Sequence, residues 1–317
     1  MRIAVIGAGA VGCLLGARLT EAYRDVALIA RTTAVPVLRE RGITVEGIRP
    51  GRWAVTALDE LPADAAPQAV LLTVKTFDLA SAAGALARRL RTPAPTLLPQ
   101  NGLGIEASTG AAMRAAGWHE PERVLVRAVN TIPATLVGPG VVRQPGEGEL
   151  ILGTPPVDDP ASEATRVLHD LLRGSGLRVR SVADLGRELW RKALVNAAIN
   201  PVTALHRVPN GRILEDPYRA EATELLREAQ RAAASAGFVF DNAEADRSLE
   251  QVARATAANR SSMLQDVERG RPTEIDAISG EIERVAAGHG IALPATRAVI
   301  ARLTSLRAPA ADRAQPS

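Results

Sequence analysis

Lysine is almost missing from this chain. Of 38 basic residues only Lys75 and Lys192 are lysines, and the rest are arginines. Arginine stays protonated, whereas lysine releases a proton when its surroundings lower its pKa, so two positions keep a cation that can do proton chemistry. Cysteine is scarcer still. The lone Cys13 excludes an internal disulfide framework and suits a reducing compartment; lying just after a glycine loop, it reads as a small packed side chain rather than a reactive one. Aromatic residues make up 3% of the chain and the formal net charge is +3. With no sustained basic tract, a nucleic-acid partner is not expected. No uninterrupted apolar run reaches membrane length, and the first residues enter a strand pattern directly, with no basic region before an apolar run. The expectation is a cytoplasmic protein without a membrane or nucleic-acid partner.

What is present describes an ordinary globular chain. Its 317 residues, 46% hydrophobic and 23% charged, are enough for two domains with real cores. Arg2 to Ile6 reads as a buried strand, Gly7-Ala8-Gly9-Ala10-Val11-Gly12 follows, and an apolar helix runs to about Glu21. Strand, glycine turn and helix in that order form a dinucleotide-binding arrangement. Gly7 permits the turn, Gly9 lets a pyrophosphate reach backbone N–H groups, and Gly12 allows close helix–strand packing. Ala10 and Val11 complete the set expected against the cofactor.

The second strand, Asp25 to Ala30, should end at a carboxylate if the cofactor were NAD or FAD. The chain reads Ile29-Ala30-Arg31-Thr32-Thr33 instead. Arg31 suits a 2′-phosphate, so NADPH is favoured over NADH. Residues 43–47 and 52–56 resemble a short hairpin around Pro50-Gly51, an ornament on the sheet. Gln68 to Val74 is another buried strand with Lys75 at its C-terminal end, the edge where ligands of doubly wound sheets sit. Asn101 stands similarly after a strand at Thr96–Leu98, as a ribose or nicotinamide contact or as a plain Asn-Gly turn. Runs at 123–127 and 149–152, with a broken run at 134–143, extend the sheet; a helix over 160–173 and a strand around 177–181 close it.

From about 184 the patterning turns helical, with periods near 3.6 over 184–206, 213–236, 243–260, 273–289 and 293–306. Gly237, Gly288 and Gly290 read as stops. The domains expected are 1–181 and 182–307, with a frayed tail at 308–317. In the first of these helices Lys192, Asn196 and Asn200 recur every four residues and stack on one face, with Ala, Leu, Val and Ile between them. Buried polar groups need partners. A cation with two amides below it suits a small anionic, carbonyl-bearing molecule; equally, Lys192 could snorkel and the asparagines could serve nearby backbone. Pro201 should disturb the ladder just beyond Asn200. Asn210, in a Pro-Asn-Gly turn, could fold back toward the same face. Thr273 is a fair N-cap, which would put Glu274 in a first helical turn, either balancing the helix dipole or facing Lys192.

Taken together these residues resemble the ketopantoate reductases, the 2-dehydropantoate 2-reductases of pantothenate and coenzyme A biosynthesis, from residue 1 to about 305. The resemblance rests on IGAGAVG at 6–12, Arg31, Lys75 in VKTFD, Asn101-Gly102, the run KALVNAAINPVTAL at 192–205, PNG at 209–211, SSMLQD at 261–266 and TEIDAISG at 273–280. It implies an α/β Rossmann-type N-terminal domain that binds NADPH. It also implies an all-α C-terminal domain, of the kind that ends 6-phosphogluconate dehydrogenase, closing over a small 2-oxo acid. By the same resemblance Lys192 is the catalytic lysine and Glu274 a carboxylate near it. Asn196 and Asn200 orient lysine and substrate, while Asn210 and Ser262 hold the substrate's hydroxyl and carboxylate end. Lys75 and Asn101 lie near the nicotinamide, and Arg31 contacts the 2′-phosphate. No metal is expected, and pairing of two copies is left open. Many members carry His or similar polar residues in the sheet segment before a glycine-spaced turn, which here reads Val142-Arg143-Gln144-Pro145-Gly146-Glu147-Gly148. Reduction of ketopantoate to (R)-pantoate is the leading expectation. Another branched 2-oxo acid or ketone, a hydroxy-acid dehydrogenase of similar architecture and a redox-inactive dinucleotide sensor are the alternatives.

Overall fold

The computed structural model describes residues 2–306, so the tail expected at 308–317 lies outside the described residues. The chain forms two compact units. One holds the residues up to Gln100 together with Gly104–Leu185; the other holds Asn101–Leu103 and the chain from Gly186 onward.

The first unit contains β1 (Ile3–Ile6), α1 (Ala10–Ala22), β2 (Val26–Ile29), α2 (Val35–Arg41), β3 (Ile43–Gly47), β4 (Gly51–Trp53), β5 (Thr56–Leu58), β6 (Ala69–Leu72), α3 (Thr76–Arg89), β7 (Thr96–Leu98), α4 (Ile105–Ala115), β8 (Leu125–Asn130), β9 (Thr135–Gly138), β10 (Val141–Gln144), β11 (Leu150–Gly153), α5 (Ser162–Gly174) and β12 (Val179–Val182). Its main sheet has eight strands in the order β5-β2-β1-β6-β7-β8-β11-β12. The strands from β5 to β8 run parallel, and β11 turns antiparallel against β8. Strands such as AVLL of β6 are buried at every position because helices cover both faces. The side-chain alternation divides the core. Ile3 and Val5 pack with Leu14 of α1 and Leu168 of α5, whereas Ala4 packs with Leu79 of α3 and Met113 of α4.

The expected hairpin ornament proves to be half of a second sheet. β4, β3, β10 and β9 form four strands in that order, with β10 parallel to β3. The run at 134–143 therefore does not extend the main sheet, and Thr56 belongs to β5, which lies parallel to β2 at the main sheet's edge. A buried arginine ties this second layer to α1. Arg18, 2% exposed, donates to the Ile48 and Arg49 carbonyls at 3.1 and 2.9 Å and to Gln144 Oε1 at 3.2 Å, with its guanidinium 5.3 Å from the Trp53 ring centre.

The second unit is helical: α6 (Leu185–His206), α7 (Tyr218–Ser235), α8 (Asn242–Ala255), α9 (Ser262–Glu268), α10 (Glu281–Gly288) and α11 (Pro294–Ser305). α6 runs unbroken through Pro201, since the packing of its buried Ala, Leu, Val and Ile outweighs one lost hydrogen bond. Three expected helices are shorter than their periodicity suggests. A 3₁₀ turn at Asn210–Leu214 precedes α7, α8 stops at Ala255, and the helix expected from residue 273 opens as a π-helical turn at Asp276–Gly280. SSMLQD, not read as helical, is α9, capped by Ser261 Oγ accepting from the Leu264 N–H at 3.1 Å. The N-terminus of α11 is closed from α7, where Glu228 accepts from the Ala295 and Thr296 N–H groups at 3.1 and 2.7 Å. Among the described residues no helix is long and apolar enough to cross a membrane.

Candidate active site

In the first unit the order of strands reverses at β1: the chain moves outward to β2 and β5, then returns to β6 on the other side. The C-terminal ends of β1 and β6 therefore border a topological switch point, where open α/β sheets bind ligands. Gly7 has φ +114°, and a Cβ there would lie 2.8 Å from Val74 N. A Cβ on Gly12 would lie 1.8 Å from the Gly7 carbonyl oxygen. Packing alone thus requires both glycines. Gly9 differs, because a Cβ there meets nothing within 4 Å and its φ of −78° and ψ of −171° suit any residue. Its missing side chain leaves room over the first turn of α1, which no side chain caps and which carries no acidic residue. An uncapped helix N-terminus beside an open backbone fits a pyrophosphate.

Side chains that the sequence reading does not single out brace this edge. Thr73 Oγ1 lies 3.0 and 2.8 Å from the Ile6 and Gly7 carbonyl oxygens and holds the turn to β6. Gln100 Nε2 donates to the Leu72 and Val74 carbonyls at 2.7 and 3.2 Å. Arg127, 6% exposed, donates to the carbonyls of Leu98 and Gln100 at 2.8 and 2.7 Å and pairs with Glu106 at 3.2 Å. The only sequence signals for these struts are a Thr and a Gln at strand ends and an arginine inside a buried strand. Lys75 stands half-buried at the N-cap of α3, just past β6. Arg31, two residues past β2, is exposed and sits 3.3 Å from Asp78 Oδ2. Burial pushes the Cys13 thiol up to about 12, in keeping with a packed rather than a reactive side chain.

In the second unit Lys192, Asn196 and Asn200 lie along one face of α6. Lys192 and Asn196 are half-buried and Asn200 is 5% exposed, among the buried Ala193, Val195, Ala197 and Ile199. The next arginines on α6 are engaged elsewhere: Arg187 and Arg191 pair with Glu244 at 2.7 and 3.2 Å. Asn210 Nδ2 donates to Thr256 Oγ1 at 3.0 Å, and its N–H donates to the Asn259 carbonyl at 2.9 Å. Asn210 Oδ1 is buried and accepts no hydrogen bond, an acceptor left over for a hydroxyl or ammonium donor. Ser262 is exposed at the first position of α9, while the preceding Ser261 is buried and 2.7 Å from Thr203 Oγ1 of α6.

Glu274, 7% exposed, stands just before the π-helical turn, with its carbonyl accepting from the Ile278 N–H at 3.1 Å. It is therefore ahead of the helix, not inside a first turn capped by Thr273. Asn101 Nδ2 donates to Glu274 Oε2 at 3.4 Å. Gly102, at φ +91°, brings the backbone so close to Ala277 that a Cβ would lie 2.3 Å from its carbonyl oxygen. The structure thus brings together two residues 173 apart in sequence, Asn101 and Glu274, beside a π-turn of the kind often found at functional sites. No cluster of His, Cys, Asp or Glu placed to hold a metal occurs among the described residues.

The chain is similar to known proteins along its whole length. The pattern of the family described as Ketopantoate reductase PanE/ApbA matches residues 3–156, and that of its C-terminal part matches residues 184–307. A 2-dehydropantoate 2-reductase of Archaeoglobus fulgidus is 34% identical over 300 residues, 94% of this chain and 95% of its own. Among solved structures, a PanE/ApbA-family ketopantoate reductase from Ralstonia eutropha JMP134 has a TM-score of 0.83 at 29% identity and covers 97% of this chain and 98% of its own. D-mandelate dehydrogenase with NADH and anilino(oxo)acetate has a TM-score of 0.86 at 24% identity, covering 98% and 100%, a likeness of fold alone.

Proposed function

The chain belongs to the ketopantoate reductase family, and on that premise we propose that it is an oxidoreductase using NADPH to reduce the keto group of 2-dehydropantoate to pantoate. The observation that carries this reading is the polar face of α6, where Lys192 heads two amides in otherwise apolar surroundings, in a chain with one other lysine.

When bound, NADPH would supply a hydride for C2 of the substrate. The turn from Gly7 to Gly12, including Ala10 and Val11, would hold its pyrophosphate, Arg31 its 2′-phosphate, and Lys75 and Asn101 its nicotinamide end. Lys192 in its ammonium form stabilises the negative charge that grows on the keto oxygen, then gives that oxygen a proton. The barrier falls because the ammonium binds the alkoxide more strongly than the ketone. Asn196 and Asn200 hold the lysine and the substrate in line. Asn210, with its unused Oδ1, receives the substrate's hydroxyl. Ser262 takes the carboxylate end, and Glu274 is the carboxylate that would face the lysine and the bound ligands.

The test is loss of NADPH absorbance on addition of 2-dehydropantoate and a panel of other branched 2-oxo acids, with the corresponding 2-hydroxy acids and NADP tried in the reverse direction. Fastest turnover with 2-dehydropantoate supports the proposal. A stronger response to another 2-oxo acid moves the substrate assignment, and turnover only in the oxidative direction removes the reductase reading.

A further inference from the structure

The carboxylate that a Rossmann-type NAD site places at the end of its second strand is missing from β2, yet a carboxylate from another element reaches the arginine that follows that strand. Asp78, in the first turn of α3, brings Oδ2 to 3.3 Å from Arg31 Nη2, with the two side chains 46% and 85% exposed. Resting on the NADPH reading above, we propose that Asp78 is a cofactor-specificity residue that works against Arg31. It accepts a hydrogen bond from the free ribose 2′-hydroxyl of NADH and repels the 2′-phosphate of NADPH, so the chain accepts both cofactors with a narrowed preference for NADPH.

The chemistry follows from the pair itself. An exposed guanidinium–carboxylate contact is weak, so neither side chain is committed to the other. Arg31 has donors on three nitrogens and can keep Asp78 on one edge while offering another to a phosphate. Asp78 is an acceptor only. Beside a ribose hydroxyl it does what the usual strand-end acid does; beside a 2′-phosphate it sets like charges next to each other. A purely local role also exists for Asp78, since an acid in the first turn of α3 favours that helix. That role has no means of telling the two cofactors apart.

The measurement is the dissociation constant of NADPH, NADH, 2′,5′-ADP and AMP, by calorimetry or nicotinamide fluorescence, for the full chain and for Asp78→Asn and Arg31→Ala. Asp78→Asn should raise the preference for NADPH over NADH, and for 2′,5′-ADP over AMP, by roughly three- to tenfold, tightening the phosphorylated ligand and weakening the other. An unchanged ratio, or equal shifts in both ligands, overturns the assignment of Asp78. Arg31→Ala separates the two levels of argument. Collapse of the ratio in that variant upholds the cofactor reading, whereas an undisturbed ratio removes that reading and this inference with it.

Discussion

The two units spend their polar atoms in opposite ways. In the first unit the candidate ligand surface is backbone, a glycine turn and an uncapped helix end, and the half-buried Thr73 and the buried Gln100 and Arg127 brace carbonyls behind it. In the helical unit the candidate surface is side chains: Lys192, Asn196 and Asn200 on α6, Asn210 with an unused oxygen, and Glu274 beside a π-turn. A backbone surface is damaged by adding atoms, because any Cβ fills it. A side-chain surface is damaged by exchanging functional groups of similar size. The contrast sets what each half should tolerate.

The largest effect is expected from an exchange in the helical unit. Lys192→Arg keeps the charge but offers a poor proton donor, so turnover should fall by about 10²–10⁴-fold while NADPH affinity stays near that of the parent. Near-normal turnover would remove Lys192 as the acid. Next comes an added methyl in the other unit. Gly12→Ala places a Cβ 1.8 Å from a backbone oxygen and should destabilise the fold by about 3 kcal/mol or more, read as a lowered denaturation midpoint. Gly9→Ala is its control. With open space around it and an extended backbone, it should leave stability unchanged or raise it by about 0.4–1 kcal/mol, yet weaken NADPH binding. Equal behaviour of the two variants would break the comparison.

A smaller effect tests whether the helical unit also uses side chains structurally. Glu228→Gln leaves one of the α11 N–H groups facing an amide nitrogen and should cost about 1–3 kcal/mol in thermal unfolding, without changing cofactor affinity. The smallest concerns Cys13. Its folded pKa, about 12, lies above that of an unfolded thiol, so its contribution to stability is complete below the unfolded value and is lost as pH rises toward the folded one. Stability should therefore decline more steeply above about pH 8.5 in the parent than in Cys13→Ala. Parallel pH profiles for the two proteins would show that burial does not hold the thiol protonated.

How much was legible in the sequence follows the same division. The turn from Gly7 to Gly12 between a buried strand and a helix, the period of α6 and the change of character near residue 184 could all be read, because each is a pattern within one local stretch. The second sheet could not. It depends on β3 lying beside β10, a pairing exemplified by Arg143 reaching Glu46 across 97 residues. The π-turn after Glu274 was hidden too, since its backbone departs from a periodicity that still looks helical.

By itself the sequence determined which residue types stand at which periodic and turn positions: two lysines in a chain otherwise charged by arginine, amides spaced at four residues, and glycines in the turn between a strand and a helix. Local sterics and side-chain periodicity are enough for that, since both act between near neighbours. Tertiary structure alone decided who stands beside whom. Asp78 against Arg31, Asn101 against Glu274 and Arg127 across the strand ends are each a contact between distant segments. Such contacts form because burying both faces of a sheet or helix forces those segments together, whatever their separation along the chain.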